Sequence, residues 1–94
     1  MKTSPESLVI SVMGRDQVGI VYRISKVLAD LNVSIVDIDQ KVTEGMFLMV
    51  VVANIADSQA TLDVIRERLQ REAGTLGISV AVQSEKLFKA MHRV

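Results

Sequence analysis

The sequence contains no cysteine, one proline and one histidine among its 94 residues. Without cysteine there is no disulfide framework, no thiolate zinc site and no cysteine nucleophile. Aromatic residues make up only 3% of the chain, so rings that could stack against RNA bases are scarce. These absences argue against a disulfide scaffold, a thiolate metal centre and an RNA-binding sheet.

Charge of one sign is also missing, since Lys+Arg and Asp+Glu both number 11. The chain therefore has no net field to attract nucleic acid or an acidic membrane surface. The longest apolar run, residues 46–53, is too short to cross a bilayer, and residues 1–6 lack the apolar core of a signal peptide. We expect a cytoplasmic protein with neither a nucleic-acid nor a membrane partner.

What the chain does have is a high apolar fraction, 49%, supplied mainly by aliphatic side chains. The pattern predicts strands at 7–13, 33–42, 46–55 and 78–83, and a first helix at 17–31 that stops at Asn32. A second helix is predicted to be capped by Asp57 or Ser58 and to end at Gly74. Gly45 is predicted to supply the positive φ of a hairpin turn, and Ser84 to cap a short terminal helix. We divide the chain into a flexible arm (1–6), one domain (7–83) and a helical tail (84–94).

This order predicts an α+β fold: a ferredoxin-like βαββαβ antiparallel sheet with two helices on one face, plus a short C-terminal helix. The first and third strands are central and apolar on both faces. The face without helices is predicted to carry five apolar residues, namely Val9, Met13, Phe47, Met49 and Val51. A second copy of the chain is the expected cover, so we predict a homodimer that Met49→Lys separates without unfolding the chain.

A glycine-rich turn joins the first strand to the first helix. Asp16 is predicted to be the N-cap of that helix, while Gly14 and Gly19 allow a backbone or a small ligand to approach closely. The first amides of a helix have no intrahelical partners and lie at its positive end. The turn is therefore either a pocket for a small anionic or zwitterionic molecule, or a capped turn that binds nothing.

The segment Gly14-x-Asp16-x-x-Gly19-Ile20-Val21 after a strand resembles the signature of the ACT domain. The turn at 31–35, which leads into a second strand, resembles it too. The resemblance covers residues 7–83, and the ending 87–94 is similar to that of small stand-alone ACT proteins with no assigned activity. It implies a ferredoxin-like module that pairs and binds an amino acid or another small metabolite at the interface.

The resemblance places the ligand beside the turn and near the polar residue that precedes the second strand. The implied binding residues are Gly14, Arg15, Asp16, Gln17, Val18, Gly19 and Asn32. Because no catalytic or DNA-binding segment accompanies the domain in this sequence, we expect it to regulate a protein partner in trans. The alternative is a protein–protein interaction or oligomerisation module without a ligand.

Residues for metal or acid–base chemistry are sparse. Asp37 and Asp39 lie two apart on a predicted strand and share a face, but no histidine accompanies them, so we predict no metal site. The single histidine, His92, lies in a basic terminal segment. No Ser–His–Asp or Cys–His constellation is present. We expect no catalytic residue, no cofactor and no enzymatic activity.

Overall fold

A computed structural model describes residues 7–91 of the chain, with secondary structure in the order βαββαβ followed by a third helix. The strands are β1 Ser7–Arg15, β2 Ser34–Thr43, β3 Met46–Asn54 and β4 Ser79–Ser84. The helices are α1 Ile20–Asp30, α2 Leu62–Leu76 and α3 Glu85–Met91. The predicted ferredoxin-like fold is confirmed. The predicted arm (1–6) and the end of the tail (92–94, with His92) lie outside the described residues.

The four strands form one antiparallel sheet in the order β2-β3-β1-β4, so β1 and β3 are central as predicted. The β2–β3 hairpin turns through two residues, Glu44 and Gly45, between the paired residues Thr43 and Met46. Their φ angles of 51° and 80° are those of a type I′ turn, which matches the twist of the two strands. The prediction of a positive φ at Gly45 is confirmed.

The register of β1 on β3 decides which side chains meet the helices, because residues directly opposite in an antiparallel pair share a face. Val12 is opposite Met49 and Ile10 is opposite Val51, and all four are buried. They form one core with the buried residues of α1 and α2, which include Ile20, Ile24, Leu28, Ile65 and Leu69. This side of the sheet is called the helix-covered face below.

The prediction for β3 was wrong by one residue. Phe47, Met49 and Val51 lie on the helix-covered face and are buried, so none of them needs a second chain as cover. Residues 46–53 are apolar at every position, and such a run carries no alternation to mark its inner side. The hairpin after Gly45 fixes the register instead, and a shift of one residue exchanges the two faces.

The opposite side of the sheet, called the open face below, carries Val9 and Met13 as predicted, together with Leu48 and Val50. Val9 is only 3% exposed although it points away from α1 and α2. Because α3 contacts β1 and β4, this helix accounts for the cover over Val9. The amide of Leu87 donates to Ser84 Oγ at 3.1 Å, so the predicted cap of this helix is confirmed.

Both main helices end in the same way. Asn32 has a φ of 58°, and the amides of Asn32 and Val33 donate to the carbonyls of Ala29 and Leu28, which confirms the predicted stop. The helix α2 does not end at Gly74 as predicted. It continues to Leu76, and Gly77, with a φ of 69°, takes the left-handed position after it.

The start of α2 also differs from the prediction. Its N-cap is Thr61, whose Oγ1 accepts a hydrogen bond from the amide of Val64 at 3.2 Å. Ser58, three residues before this cap, makes other hydrogen bonds: its Oγ donates to the carbonyl of Leu31 and accepts from the amide of Ala60. Several polar residues precede this helix, and only their tertiary contacts decide which of them caps it.

Candidate functional site

The loop that follows β1 is held at two points. The amide of Asp16 donates to the carbonyl of Gly45 at 2.8 Å, which ties the loop to the β2–β3 turn. Gln17 Nε2 donates to the carbonyl of Leu76 at 3.0 Å, at the end of α2, and to that of Arg15 at 3.3 Å. Six of the predicted site residues are therefore together: Gly14 and Arg15 end β1, and residues 16–19 form a loop of defined shape.

Asp16 is not the N-cap of α1, contrary to the prediction. The helix starts at Ile20, its N-cap is Gly19 with a φ of 97°, and no side chain caps it. Because the backbone is left-handed at Gly19, the helix starts only after this residue, and Asp16 lies too far before the first turn to cap it. No acidic residue lies in the first turn of α1, and the neighbouring Val18 side chain is fully exposed. The free amides at the start of α1, which is the positive end of the helix dipole, therefore have no side-chain cap.

The two glycines of the loop are there for different reasons. A Cβ at Gly14 would lie 2.5 Å from Cγ2 of Ile78, so the room beside Gly14 is filled by the protein itself. A Cβ at Gly19 would meet nothing within 4 Å, and the positive φ is what favours glycine there. Open space for a ligand exists at Gly19 and not at Gly14.

Asn32 lies at the other end of α1 from this loop. A helix of 11 residues is about 16 Å long, so the structure does not bring Asn32 to the loop within one chain. Its Nδ2 donates to the carbonyl of Asp57 at 2.7 Å and joins the end of α1 to the segment before α2. Only a second subunit could bring an Asn32 beside the loop.

A shallow hollow of about 350 Å³ lies on the open face, next to the strand that leads into the loop. The open-face residues around it are Ser11, Met13, Asp39, Lys41, Leu48 and Val50. Met13 is 52% exposed and Val50 is 40% exposed. The sequence pattern indicated Met13 for this face, and the grouping of these residues around one hollow was not predicted. The sequence held two signals for this surface. An acidic and a basic residue, Asp39 and Lys41, lie two positions apart on β2, and an all-apolar strand follows β2 after a two-residue turn.

Residues 7–91 offer little for acid–base or metal chemistry. No charged or polar residue in this range is buried, and no three or more of its His, Asp and Glu residues are grouped so as to hold a metal ion. Asp37 Oδ1 accepts from the amide of Ile38 at 2.9 Å. The pKa of Lys26 is raised by its hydrogen bond to Asp30 and by the charge of that carboxylate. This ion pair is exposed on a helix surface.

In the same range, none of the helices combines the length and apolar character needed to traverse a bilayer.

The family model of the ACT domain matches residues 6–83. This chain belongs to the ACT domain family. It is 39% identical over 87 residues to a UPF0237 protein from Methanocaldococcus jannaschii, covering 93% of this chain and 97% of that protein. The resemblance proposed from the residues around Gly14, Asp16 and Gly19 is confirmed.

Solved structures agree with the family assignment. An ACT domain protein from Streptococcus pneumoniae superposes with a TM-score of 0.77 at 31% identity, covering 92% of this chain and 97% of that one. The regulatory subunit of aspartate kinase from Thermus thermophilus gives a TM-score of 0.67 at 19% identity, over 87% of this chain and 53% of that subunit. The second likeness shows the fold alone.

Proposed function

We propose that this ACT domain protein is a non-catalytic regulator that forms a homodimer in the cytoplasm, binds an amino acid at the dimer interface and acts in trans on another protein. ACT domains are a family of regulatory, ligand-binding modules. The observation that carries the proposal is the apolar hollow on the open face, beside the loop. Exposed aliphatic side chains at the centre of a sheet mark a surface that binds something.

The loop offers complementary groups for a free amino acid. The uncapped start of α1 presents amides that suit a carboxylate. The carboxylate of Asp16 is exposed, and it makes no hydrogen bond or ion pair with another residue of the range 7–91, so it is available for an ammonium group. The open space beside Gly19 admits the ligand. A zwitterion can use these features together.

A second subunit completes this arrangement. Of the seven predicted binding residues, Asn32 is the one that the chain's own fold holds away from the loop. In the proposed dimer the partner's Asn32 approaches the loop and supplies an amide to the ligand. The regulatory subunit of aspartate kinase from Thermus thermophilus is a precedent for a regulator of this fold on a separate chain.

Titration calorimetry of the purified protein with each of the free amino acids tests the proposal. We expect at least one of them to bind, and Asp16→Asn to weaken that binding about 10-fold to 100-fold, because a hydrogen bond to a charged group is lost. Glu67→Gln is the matched control, since it also exchanges a carboxylate for an amide, on the exposed side of α2 where Glu67 pairs with Arg71 and contacts neither the loop nor Asn32. Equal binding by the parent and Asp16→Asn would remove Asp16 from the site.

The second candidate function is an oligomerisation module without a ligand. One observation favours it: Ile78 already accounts for the absence of a side chain at Gly14, so this glycine requires no ligand. A dimer that binds none of the amino acids would favour this candidate over the first. Native mass spectrometry, searched for a co-purified small molecule, distinguishes the two without any assumption about the ligand.

A further inference from the structure

We propose that the outer groove between α1 and α2 binds a segment of a partner protein that carries one carboxylate beside an apolar side chain. Arg68 holds the carboxylate, and Tyr22 packs on the apolar group. This groove is called the helix groove below. The inference rests on the action in trans of the proposed function, and it assigns that action a surface and a class of partner.

The helix groove is a hollow of about 340 Å³ between the two main helices. One side is formed by Tyr22, Lys26 and Asp30, which follow one another at helical spacing along α1. Arg68 and Glu72, one turn apart on α2, form the other side. Residues that are far apart in the sequence are thus brought together by the packing of the two helices.

Charge pairing on these helices leaves one basic residue over. The two helices carry five basic and four acidic side chains. Every acid is paired with a base: Arg23 with Glu72, Lys26 with Asp30, Arg66 with Asp63 and Arg71 with Glu67. Arg68 is the fifth base, and its guanidinium forms no ion pair with another residue of the range 7–91. The helix groove therefore carries one positive charge that these residues do not neutralise.

The acids that line the helix groove with Arg68 are held by other partners. Glu72 accepts a hydrogen bond from Arg23, which also donates to Thr75 Oγ1 at 2.7 Å. Asp30 Oδ2 accepts from Lys26 Nζ at 3.1 Å. A guanidinium offers five N–H donors in a planar fork that fits a carboxylate. An incoming carboxylate can therefore bind the half-buried Arg68 without displacing an acid that is already in place.

Tyr22 supplies the apolar part of this site. Its side chain is 65% exposed, although it borders the same hollow as Arg68. Tyrosine and arginine are enriched among the residues that contribute most to protein–protein binding, and a tyrosine ring loses little conformational entropy when it is covered. Tyr22 and Arg68 together fit a segment in which an apolar side chain stands next to an acid.

The charge of the helix groove favours a single carboxylate over a polyanion. Arg23 and Lys26 also line the hollow, but Glu72 and Asp30 balance their charges. A nucleic acid or an anionic membrane is bound through many phosphates and requires a group of unbalanced cations. One unbalanced cation, Arg68, matches one acidic side chain of a protein.

The helix groove and the open face lie on opposite sides of the sheet. The helices α1 and α2 pack on the helix-covered face, whereas the hollow with Met13 and Val50 belongs to the open face. A partner in the groove therefore leaves the proposed ligand site accessible. The start of α1 belongs to that site and Tyr22 lies in the first turn of the helix, so α1 connects the ligand to the partner.

A library of random dodecapeptides displayed on phage, selected on the immobilised full chain, is the probe for this surface. We expect the selected peptides to share an acidic residue next to an apolar one. Fluorescence anisotropy of the synthetic peptides should show binding weakened at least about 10-fold in Arg68→Gln, because a charged hydrogen-bonded pair is lost. Exchange of the peptide's acid for its amide should weaken binding to the parent equally and weaken binding to Arg68→Gln no further.

Arg71→Gln is the matched control. It removes the same charge from the same helix, but Arg71 pairs with Glu67 and does not line the hollow, so peptide binding should be unchanged. Tyr22→Ala should weaken binding about 10-fold, whereas Tyr22→Phe keeps the ring and should bind like the parent. Circular dichroism checks that every variant is folded.

Several results would overturn the inference. One is a failure to select any peptide, and another is equal binding of the selected peptides to the parent and to Arg68→Gln. Binding of inorganic phosphate in place of peptides would make the groove a small-anion site. A change of oligomeric state in Arg68→Gln, seen by ultracentrifugation, would show that a second copy of the chain occupies the groove.

The titrations with amino acids are a separate measurement. If an amino acid binds and no peptide does, the proposed ligand site stands and the helix groove is not the partner surface. If peptides bind through Arg68 and no amino acid binds, the ligand of the proposed function fails while the partner surface stands.

Discussion

The two faces of the sheet are made from similar residues but meet different surroundings. Met49 and Val50 are neighbours on the central strand β3, yet Met49 is 2% exposed and Val50 is 40% exposed. On β1, Val12 is buried and Met13 is exposed in the same way. The difference comes from what lies over each face, namely α1 and α2 on one side and the short α3 on the other.

This comparison separates folding from association. A fully buried aliphatic side chain contributes roughly 1.5–3 kcal/mol to stability by leaving water. The side chains of the helix-covered face gain this when the single chain folds. On the open face, the side chains that gain this stabilisation in full only when another molecule covers them are Met13, Leu48 and Val50. The helix-covered face therefore determines whether the chain folds, and the open face is the surface that we propose takes part in binding.

The sharpest test of this separation is a charge placed on adjacent residues of β3. Met49→Lys places an unpaired ammonium in the core and should cost on the order of 3–5 kcal/mol, enough to unfold much of a domain this small. Val50→Lys should change the free energy of unfolding by less than about 1 kcal/mol and weaken only the dimer. Urea denaturation at low protein concentration measures both. A folded Met49→Lys monomer would reverse our assignment of the two faces.

The next largest effect is expected at the end of β1, where the helix-covered face approaches the start of β4. Gly14→Ala places a Cβ against the Ile78 side chain and should destabilise the chain by roughly 1–3 kcal/mol through overpacking. Thermal unfolding should show a midpoint lowered by about 4–8 °C per kcal/mol. An unchanged midpoint would mean that β1 and Ile78 separate easily, and that the room at Gly14 is open to a ligand after all.

A smaller effect should distinguish the starts of the two helices that cover the sheet. Thr61→Ala removes the cap of α2 and should cost about 1 kcal/mol. Asp16→Ala should leave stability almost unchanged, because its side chain caps no helix. Chemical denaturation of the two variants is the measurement. Equal losses would restore Asp16 as a structural residue and weaken its role in binding.

The smallest effect is expected at α3, the helix over the open face. Ser84→Ala removes the hydroxyl that caps α3 and should lower global stability by no more than a few tenths of a kcal/mol, because a short terminal helix unfolds locally. Amide exchange should accelerate over residues 87–91, while β1 and β3, which are paired in the sheet, stay protected. A loss of protection throughout the sheet would show that α3 belongs to the main folding unit.

Particular residues show how far prediction from the sequence reached. Asn32, Gly45 and Ser84 were assigned correctly, because a left-handed stop, a hairpin turn and a helix cap each depend on a few adjacent residues. Asp16 and Gly74 were misassigned, because a second suitable residue, Gly19 or Gly77, lay three positions away and took the role. The local sequence pattern identifies the residues that could cap or end a helix, and contacts with neighbouring elements determine which of them does so.

The candidate site likewise has one part that the sequence predicted and another that it did not. Residues 14–19 do lie together, at the end of β1 and in the loop after it, as their adjacency in sequence required, but Asn32 lies at the far end of α1. Asp39, Lys41, Leu48 and Val50 join Met13 around one hollow although they come from three strands. No spacing within a single segment could reveal that group, since it exists only through the register of β2 on β3 and of β3 on β1.

The sequence by itself determined the order of the elements, the antiparallel sheet with two central apolar strands, and membership of the ACT family. These follow from hydrophobic periodicity and turn residues, which act over a few positions. Only the tertiary structure decided which side of β3 is buried, which residues cap the helices and which side chains share the open face. An all-apolar strand carries no mark of its inner side, so its orientation is fixed by the turn and strands that pair with it.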